Sequence, residues 1–124
     1  MEADGKEIPM RKVILIMLGT VGLSALQAQA HTRLSESTPA DEAVVTVAPE
    51  EIVLGFSEAV MLTAVSIRED GGAELALEFP GERDERFIVG VSDLLPGEYI
   101  VSWRAIGADT HIVSGEFRFT VADV

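Results

Sequence analysis

Residues 95–105 read LPGEYIVSWRA, and this stretch predicts a tight turn followed by a buried β-strand. Pro96-Gly97 is a turn-forming pair, and in a strand the side chains two residues apart share one face. The residues that share the inward face here are Tyr99, Val101, Trp103 and Ala105. A tyrosine placed just after such a turn also resembles the tyrosine corner of β-sandwiches, in which the tyrosine hydroxyl bonds back to the main chain.

Five further stretches show the same two-residue alternation of apolar side chains. They span residues 52–56, 65–67, 75–79, 87–91 and 117–121. Turn-forming strings, such as EDGG at 69–72 and PG at 80–81, separate several of them. About seven short strands at this spacing, without helical periodicity, predict an all-β, immunoglobulin-like antiparallel β-sandwich with Greek-key connections.

The composition limits both the size of the fold and the kinds of function. A chain of 124 residues has room for one domain of ordinary size. Its net charge of −12 argues against binding to nucleic acid, because phosphate recognition requires clustered Lys and Arg. The chain has no cysteine, which excludes disulfides, zinc ribbons, iron–sulfur clusters and thiol catalysis.

Residues 1–30 have the pattern of a Sec-type signal peptide. Three basic residues precede an apolar run at 13–26, and Ala28-Gln29-Ala30 is a small-x-small cleavage signal. The apolar run is shorter than the ~20 residues that a membrane-spanning helix needs. We therefore expect cleavage after Ala30, and a soluble mature domain, residues 31–124, that is periplasmic or exported. The alternative is an uncleaved domain that stays tethered to the membrane.

The two histidines of the chain suggest a metal site. After cleavage, His31 offers its α-amine and its ring Nδ1, which together close a chelate ring on one metal ion. In Asp109-Thr110-His111, an extended backbone would turn the carboxylate and the imidazole to the same side. The combined set of three nitrogens and one oxygen suits Cu(II) better than Zn(II), which prefers a tetrahedron.

Other interpretations of the same residues stay open at this point. A terminal histidine can be incidental, and Asp109 can form a local turn by bonding nearby backbone. A Ser–His–Asp arrangement would have to combine Asp109 and His111 with Ser114, yet the sequence lacks a nucleophile-elbow pattern.

Several short pieces of sequence, from His31 to about Val121, form one larger pattern. They are AH at 30–31, Leu34, STPA at 37–40, FSE at 56–58, PGEYIVSWR at 96–104, DTH at 109–111 and Gly115. Together these pieces resemble the CopC/PcoC family of copper-resistance proteins over essentially the whole mature chain. The combination of a histidine at the cleavage point with W-R and D-T-H is the specific part of the resemblance.

The resemblance implies a copper-binding protein of the bacterial envelope rather than an enzyme. One Cu(II) per mature chain would be held by the amine and Nδ1 of His31, by Asp109 and by His111. Glu58 matches a glutamate that lies near the copper or acts as a weak ligand. The implied roles are copper sequestration, delivery or resistance, with an inner-membrane copper importer of the CopD type as the partner. Trp103 is expected in the core close to the site.

The sequence also departs from part of the family. Some members bind Cu(I) through a methionine-rich loop, because thioethers are soft ligands that suit the reduced ion. Met61 is the single methionine of residues 31–124. We therefore expect no Cu(I) thioether site, and we expect Met61 to contribute to packing.

Two other classes of function compete with the copper carrier. A histidine clamp on copper also resembles the site of lytic polysaccharide monooxygenases, so a small copper-dependent oxidative enzyme is one alternative. That alternative needs exposed aromatic side chains for a glycan, whereas Tyr99 and Trp103 fall on the predicted inward face. The second alternative is a metal-free binding sandwich in which His31 has no role.

Overall fold

A computed structural model describes residues 32–123 of the chain. This part contains seven strands: β1 (Leu34–Thr38), β2 (Ala43–Val45), β3 (Glu51–Glu69), β4 (Leu75–Ala76), β5 (Asp84–Gly90), β6 (Gly97–Ile106) and β7 (Ile112–Val121). Within these residues there is no helix that is long and apolar enough to cross a membrane. The predicted all-β sandwich is confirmed.

The strands form two sheets, and the long strand β3 takes part in both. Its first half pairs with β1 on one side and with β5 on the other. Its second half pairs with β6 and β4, and β6 continues the second sheet to β7 and then to β2. All of these pairs are antiparallel except the short pair between β2 and β7, which is parallel.

The sequence patterns located the long strands but not their full extent. Residues 52–56 and 65–67, which appear in the sequence as two separate stretches, belong to the single strand β3. The predicted strand at 75–79 is reduced to the two residues of β4, with Leu75 63% exposed. The short strands β1 and β2 were not predicted, because only Leu34 and Val45 among their residues pack against the core, which leaves no alternating buried face to detect.

One hydrophobic core fills the space between the sheets. The aromatic side chains within it are Phe56, Phe87, Tyr99, Trp103, Phe117 and Phe119. The Phe56 ring meets those of Phe87 and Trp103 edge to face, at centroid distances of 6.0 Å and 5.1 Å. Such edge-to-face pairs add to the stabilisation from burial alone.

The tyrosine corner predicted from residues 95–99 is confirmed. The Tyr99 hydroxyl donates a hydrogen bond of 2.6 Å to the carbonyl oxygen of Leu95. Burial raises the pKa of Tyr99, and the negative charge of Glu69 raises it further. The hydroxyl therefore stays protonated, and its hydrogen bond fixes the start of β6 to the preceding turn.

Candidate metal centre

The hairpin loop between β6 and β7 carries the Asp109-Thr110-His111 motif. Ile106 faces Ile112 across the two strands, so the loop spans residues 107–111. Two hydrogen bonds close it: Gly107 N donates to His111 O at 2.8 Å, and Thr110 N donates to Gly107 O at 3.0 Å. Thr110 has a left-handed φ of 70°. The motif is therefore a turn, which is the alternative left open by the sequence, and it does not have the extended backbone on which the argument for convergence depended.

The turn nevertheless brings the carboxylate and the imidazole together. Asp109 Oδ2 lies 2.8 Å from His111 Nδ1, and Asp109 Oδ1 accepts a 3.1 Å hydrogen bond from His111 N. The second contact is the local backbone bond that the alternative interpretation of Asp109 expected. In this turn, Asp109 therefore bonds to nearby backbone and also lies against the imidazole. Asp109 orients His111 by holding both its backbone and its ring.

The pair is open to solvent and electrostatically coupled. The side chains of His111 and Asp109 are 83% and 60% exposed. The hydrogen bond from the His111 side chain lowers the pKa of Asp109 below its ordinary value, and the bond from the His111 backbone lowers it further. Because Nδ1 is occupied by the carboxylate, Nε2 is the ring nitrogen that remains available to a metal ion.

Glu58 lies at the same end of the molecule as the segment that begins the described chain. Its Oε2 accepts a 3.2 Å hydrogen bond from Thr32 Oγ1. Thr32 in turn borders Gly107, the first residue of the hairpin loop. His31, the remaining ligand predicted from the sequence, lies outside the described residues.

The described residues provide only part of a metal site. Within residues 32–123, no group of three or more His, Asp or Glu side chains is arranged to hold a metal ion. The pair Asp109 and His111 contributes one oxygen and one nitrogen. Further donors from residue 31 are needed to complete a site of the kind expected from the sequence.

The other residues singled out in the sequence take ordinary structural positions. Trp103 is 7% exposed and packs in the core, as expected. Met61 is 37% exposed and faces Ile106 across the sheet, so the expectation that it is a packing residue holds only in part. Arg104 is exposed and its carbonyl accepts a bond from Thr63 Oγ1. Ser114 lies on β7, and no hydrogen bond joins it to His111 in the described part of the chain.

Two residues that the sequence did not suggest complete the surroundings of the turn. A β-carbon added at Gly107 would lie 3.1 Å from Thr32 Oγ1 and 3.3 Å from Asp109 Oδ1. Gly107 and Thr32 thus bring the start of the described chain against the turn. The only sequence signals were a glycine two residues before Asp109 and the position of Thr32 beside His31, and neither indicates a contact.

Comparisons with known proteins agree with this fold. A family model described as the CopC domain matches residues 34–122. The chain is 36% identical over 110 residues to copper resistance protein C of Pseudomonas syringae pv. tomato, covering 80% of this chain and 86% of that protein. It is 33% identical over 108 residues to protein YobA of Escherichia coli (strain K12), covering 82% and 87%.

Solved structures give the same result. The crystal structure of CopC from Methylosinus trichosporium OB3b superposes with a TM-score of 0.66 at 25% identity, covering 74% of this chain and 94% of that one. That of PcoC, a methionine-rich copper resistance protein from Escherichia coli, gives a TM-score of 0.55 at 31% identity, covering 74% and 99%. The sequence resemblance is therefore confirmed, and the chain belongs to the CopC family.

Proposed function

We propose that this chain is an exported copper protein whose mature form binds one Cu(II). The ligands in this proposal are the α-amine and Nδ1 of His31, a carboxylate oxygen of Asp109 and a ring nitrogen of His111. Residues 1–30 act as a signal peptide, and cleavage after Ala30 releases the copper-binding domain, residues 31–124, into the periplasm. Cleavage is part of the chemistry, because it creates the α-amine that binds the metal.

The observation that carries this proposal is the position of Thr32. Thr32 Oγ1 and Asp109 Oδ1 border the same small space at Gly107. One peptide bond joins His31 to Thr32, and consecutive Cα atoms are about 3.8 Å apart. Thr32, the residue that follows His31 in the chain, therefore lies beside the Asp109–His111 turn, which supports the proposal of a shared site.

The donor chemistry favours Cu(II). Amine and imidazole nitrogens together with a carboxylate oxygen suit a tetragonal Cu(II) site, and affinity along the divalent series peaks at copper. Asp109 and His111 bind the same ion only after their direct contact opens, because a metal on Nε2 would lie on the far side of the ring from the carboxylate that holds Nδ1. Thioether binding of Cu(I) is not part of the proposal, since residues 31–124 contain only Met61, unlike the relative described as methionine-rich.

The proposed role is copper sequestration, delivery or resistance, by analogy with relatives named copper resistance proteins. An inner-membrane importer of the CopD type is the proposed partner. The exposure of His111 supports exchange of copper with a partner, because a metal on a surface turn can be reached without unfolding.

The structure argues against the enzymatic alternative. The chain contains one Trp and one Tyr, and both Trp103 and Tyr99 are buried in the core. Neither can form the aromatic surface on which a glycan would stack. A carrier that holds copper without oxidising a polysaccharide is therefore the function that the geometry supports best.

A Cu(II) competition titration tests the proposal. It compares protein that begins at His31 with protein that carries one extra alanine before His31. We expect tight one-to-one binding by the first and a loss of more than about 100-fold in the second, because removing ligands costs more than removing their supporting contacts. His111→Ala and Asp109→Ala should also weaken binding, whereas Ile112→Ala, beside the turn, should not.

Each other outcome has a clear meaning. Equal affinity with and without the extra residue would remove the amine from the site. Absence of tight binding in all forms would overturn the copper proposal and favour the metal-free sandwich. Ascorbate-driven oxidation of an oligosaccharide by the copper-loaded protein would overturn the carrier role in favour of the enzyme.

A further inference from the structure

A groove of about 740 Å³ lies between the edge strands of the two sheets. β1 ends one sheet, because it pairs only with β3, and β7 ends the other sheet until β2 pairs with residues 119–121. No pairing joins β1 to β7 within residues 32–123, so the sandwich is open along this side. Leu34, Trp103 and Phe117 give the groove an apolar lining.

The edge of β7 that borders the groove has main-chain groups without a strand partner. Arg118 N donates to Asp41 Oδ1 at 3.0 Å, and Arg118 O accepts from Glu42 N at 2.6 Å, so the main chain of Arg118 faces away from β6. Along a strand, every second residue directs its N–H and C=O to the same side. Those of Ser114 and Glu116 therefore also face away from β6, and no described strand pairs with them there.

Trp103 adds a buried donor beside this edge. Its side chain is 7% exposed, and its Nε1 is buried without a hydrogen-bond partner among the described residues. Nε1 lies next to Gly115 on β7, where an added β-carbon would be 3.3 Å from it. A buried donor without an acceptor is unfavourable. An occupant of the groove that carries carbonyl oxygens is therefore favoured over a purely apolar one.

We propose that the groove is a docking site in which an extended, cationic segment of a partner protein adds a strand to the edge of β7. An edge strand offers a row of donors and acceptors to a second chain, and strand addition satisfies them through main-chain bonds. The open length of β7, residues 112–117, suits a segment of about six residues. Copper binding is not required for this docking.

The charges around the groove define the preferred partner. Three of the residues that line it are acidic, Glu36, Asp41 and Glu116, whereas Arg33 is basic, and all four are exposed. A Lys or Arg opposite Glu116 on the added strand would form a cross-strand pair of opposite charge. An acidic segment would be repelled, and so would a second copy of this chain, whose net charge is −12.

Peptide selection tests the docking site. Random peptides of about seven residues, displayed on phage, are selected for binding to the mature protein. We expect the selected sequences to be rich in Lys and Arg. A synthetic copy of the strongest binder should change the fluorescence of Trp103, the single tryptophan of the chain, and this signal gives its dissociation constant. Failure to select any peptide, or selection of acidic ones, would overturn the proposal.

Ser114→Pro tests the pairing with β7. It removes an N–H that faces away from β6, a position at which an edge strand tolerates proline. The variant should bind the selected peptide about 10-fold more weakly, because a main-chain bond is lost and the proline ring obstructs the added strand. Ser114→Ala keeps the N–H and should bind as the wild type does. Denaturant unfolding checks that both variants are folded.

Glu116→Lys tests the charge preference without a change in the backbone. It should weaken binding of the cationic peptide about 5-fold at low salt, because an opposite-charge pair becomes a like-charge pair. Glu85→Lys is the matched control, since Glu85 is an exposed residue of β5 that does not line the groove. Both substitutions change the net charge equally, and the difference between them should shrink as salt is added.

Two further outcomes would count against the docking site. Equal affinity of the peptide for the wild type, Ser114→Pro and Glu116→Lys would overturn the proposal, because the peptide would then bind elsewhere. Sedimentation of the free protein checks the other occupant. A wild-type dimer that Ser114→Pro abolishes would overturn the proposed partner and identify a second copy of this chain as the occupant of the groove.

Discussion

The two ends of β6 are built in opposite ways. At its start, Tyr99 is 6% exposed, stacks on Phe119 with a centroid distance of 5.6 Å, and bonds to the backbone of Leu95. At its other end, the Asp109 and His111 side chains are 60% and 83% exposed on a hairpin loop. One strand therefore connects a packed end, which stabilises the fold, to an exposed loop that carries the candidate metal ligands.

The difference shows how a small domain without cysteine separates stability from binding. Stability must come from packing, and the buried apolar side chains of the described residues form one core. Ligands on an exposed turn have little desolvation to overcome when they are ionised or metal-bound. We therefore expect substitutions at the start of β6 to affect folding, and those at its end to affect copper binding.

The largest expected effect on stability comes from the packed end. Phe119→Ala should lower the free energy of unfolding by about 3–5 kcal/mol, because it opens a cavity beside Tyr99. Denaturant unfolding of the mature domain measures this. Phe119→Leu should lower the free energy of unfolding by less, and it allows the same measurement if the alanine variant does not fold. Ile112→Ala, at a 69% exposed position of the same strand, is the control. If Phe119→Ala lowered the free energy of unfolding no more than the control does, the proposed difference between the two ends of β6 would be contradicted.

A smaller effect is expected from the tyrosine corner. Tyr99→Phe removes the hydroxyl bond to Leu95 and keeps the ring, so it should lower the free energy of unfolding by about 1 kcal/mol. The raised pKa of Tyr99 gives a second test, because the neutral hydroxyl is the form that the fold prefers. The stability of the wild type should fall as the pH rises above the ordinary tyrosine pKa of about 10. Tyr99→Phe should lose part of that dependence, and an unchanged alkaline profile would contradict the assignment.

The smallest effect on folding is expected at the open end. His111→Ala should lower the denaturant midpoint of the apo-protein only slightly at neutral pH, because the side chain is largely exposed. The same substitution should raise the pKa of Asp109 towards its ordinary value, since the His111 side chain is the main cause of the lowering. Carboxyl-carbon NMR titration measures this shift.

The sign of the acid dependence follows from the same pair. A lowered pKa means that the folded state favours the carboxylate. The contribution is present above the ordinary aspartate pKa of about 3.9 and is lost as the pH falls through the lowered value. An Asp109 pKa that does not change in His111→Ala would show that the hydrogen bond is absent in solution.

Local patterns in the sequence were enough to predict much of the fold. The alternation at 99–105 and 117–121 predicted buried faces that the structure confirms, because one face of each strand meets the core. The tyrosine corner was also predictable, since its two partners are four residues apart. Strand β1 was not, because its mixed polar residues pair with β3 through backbone bonds that leave no pattern.

The candidate site, like the fold, could be predicted only in part from the sequence. Residue types and neighbours in the chain were enough to single out Asp109 and His111 as candidate ligands, to exclude cysteine ligands and to show the resemblance to the CopC family. The folded structure was needed to place the pair on a turn. It was also needed to bring Thr32 to Glu58, 26 residues away, and Gly107 to Thr32. Such contacts join segments from different strands and sheets, so the packing of those strands, rather than any local preference, sets their distances.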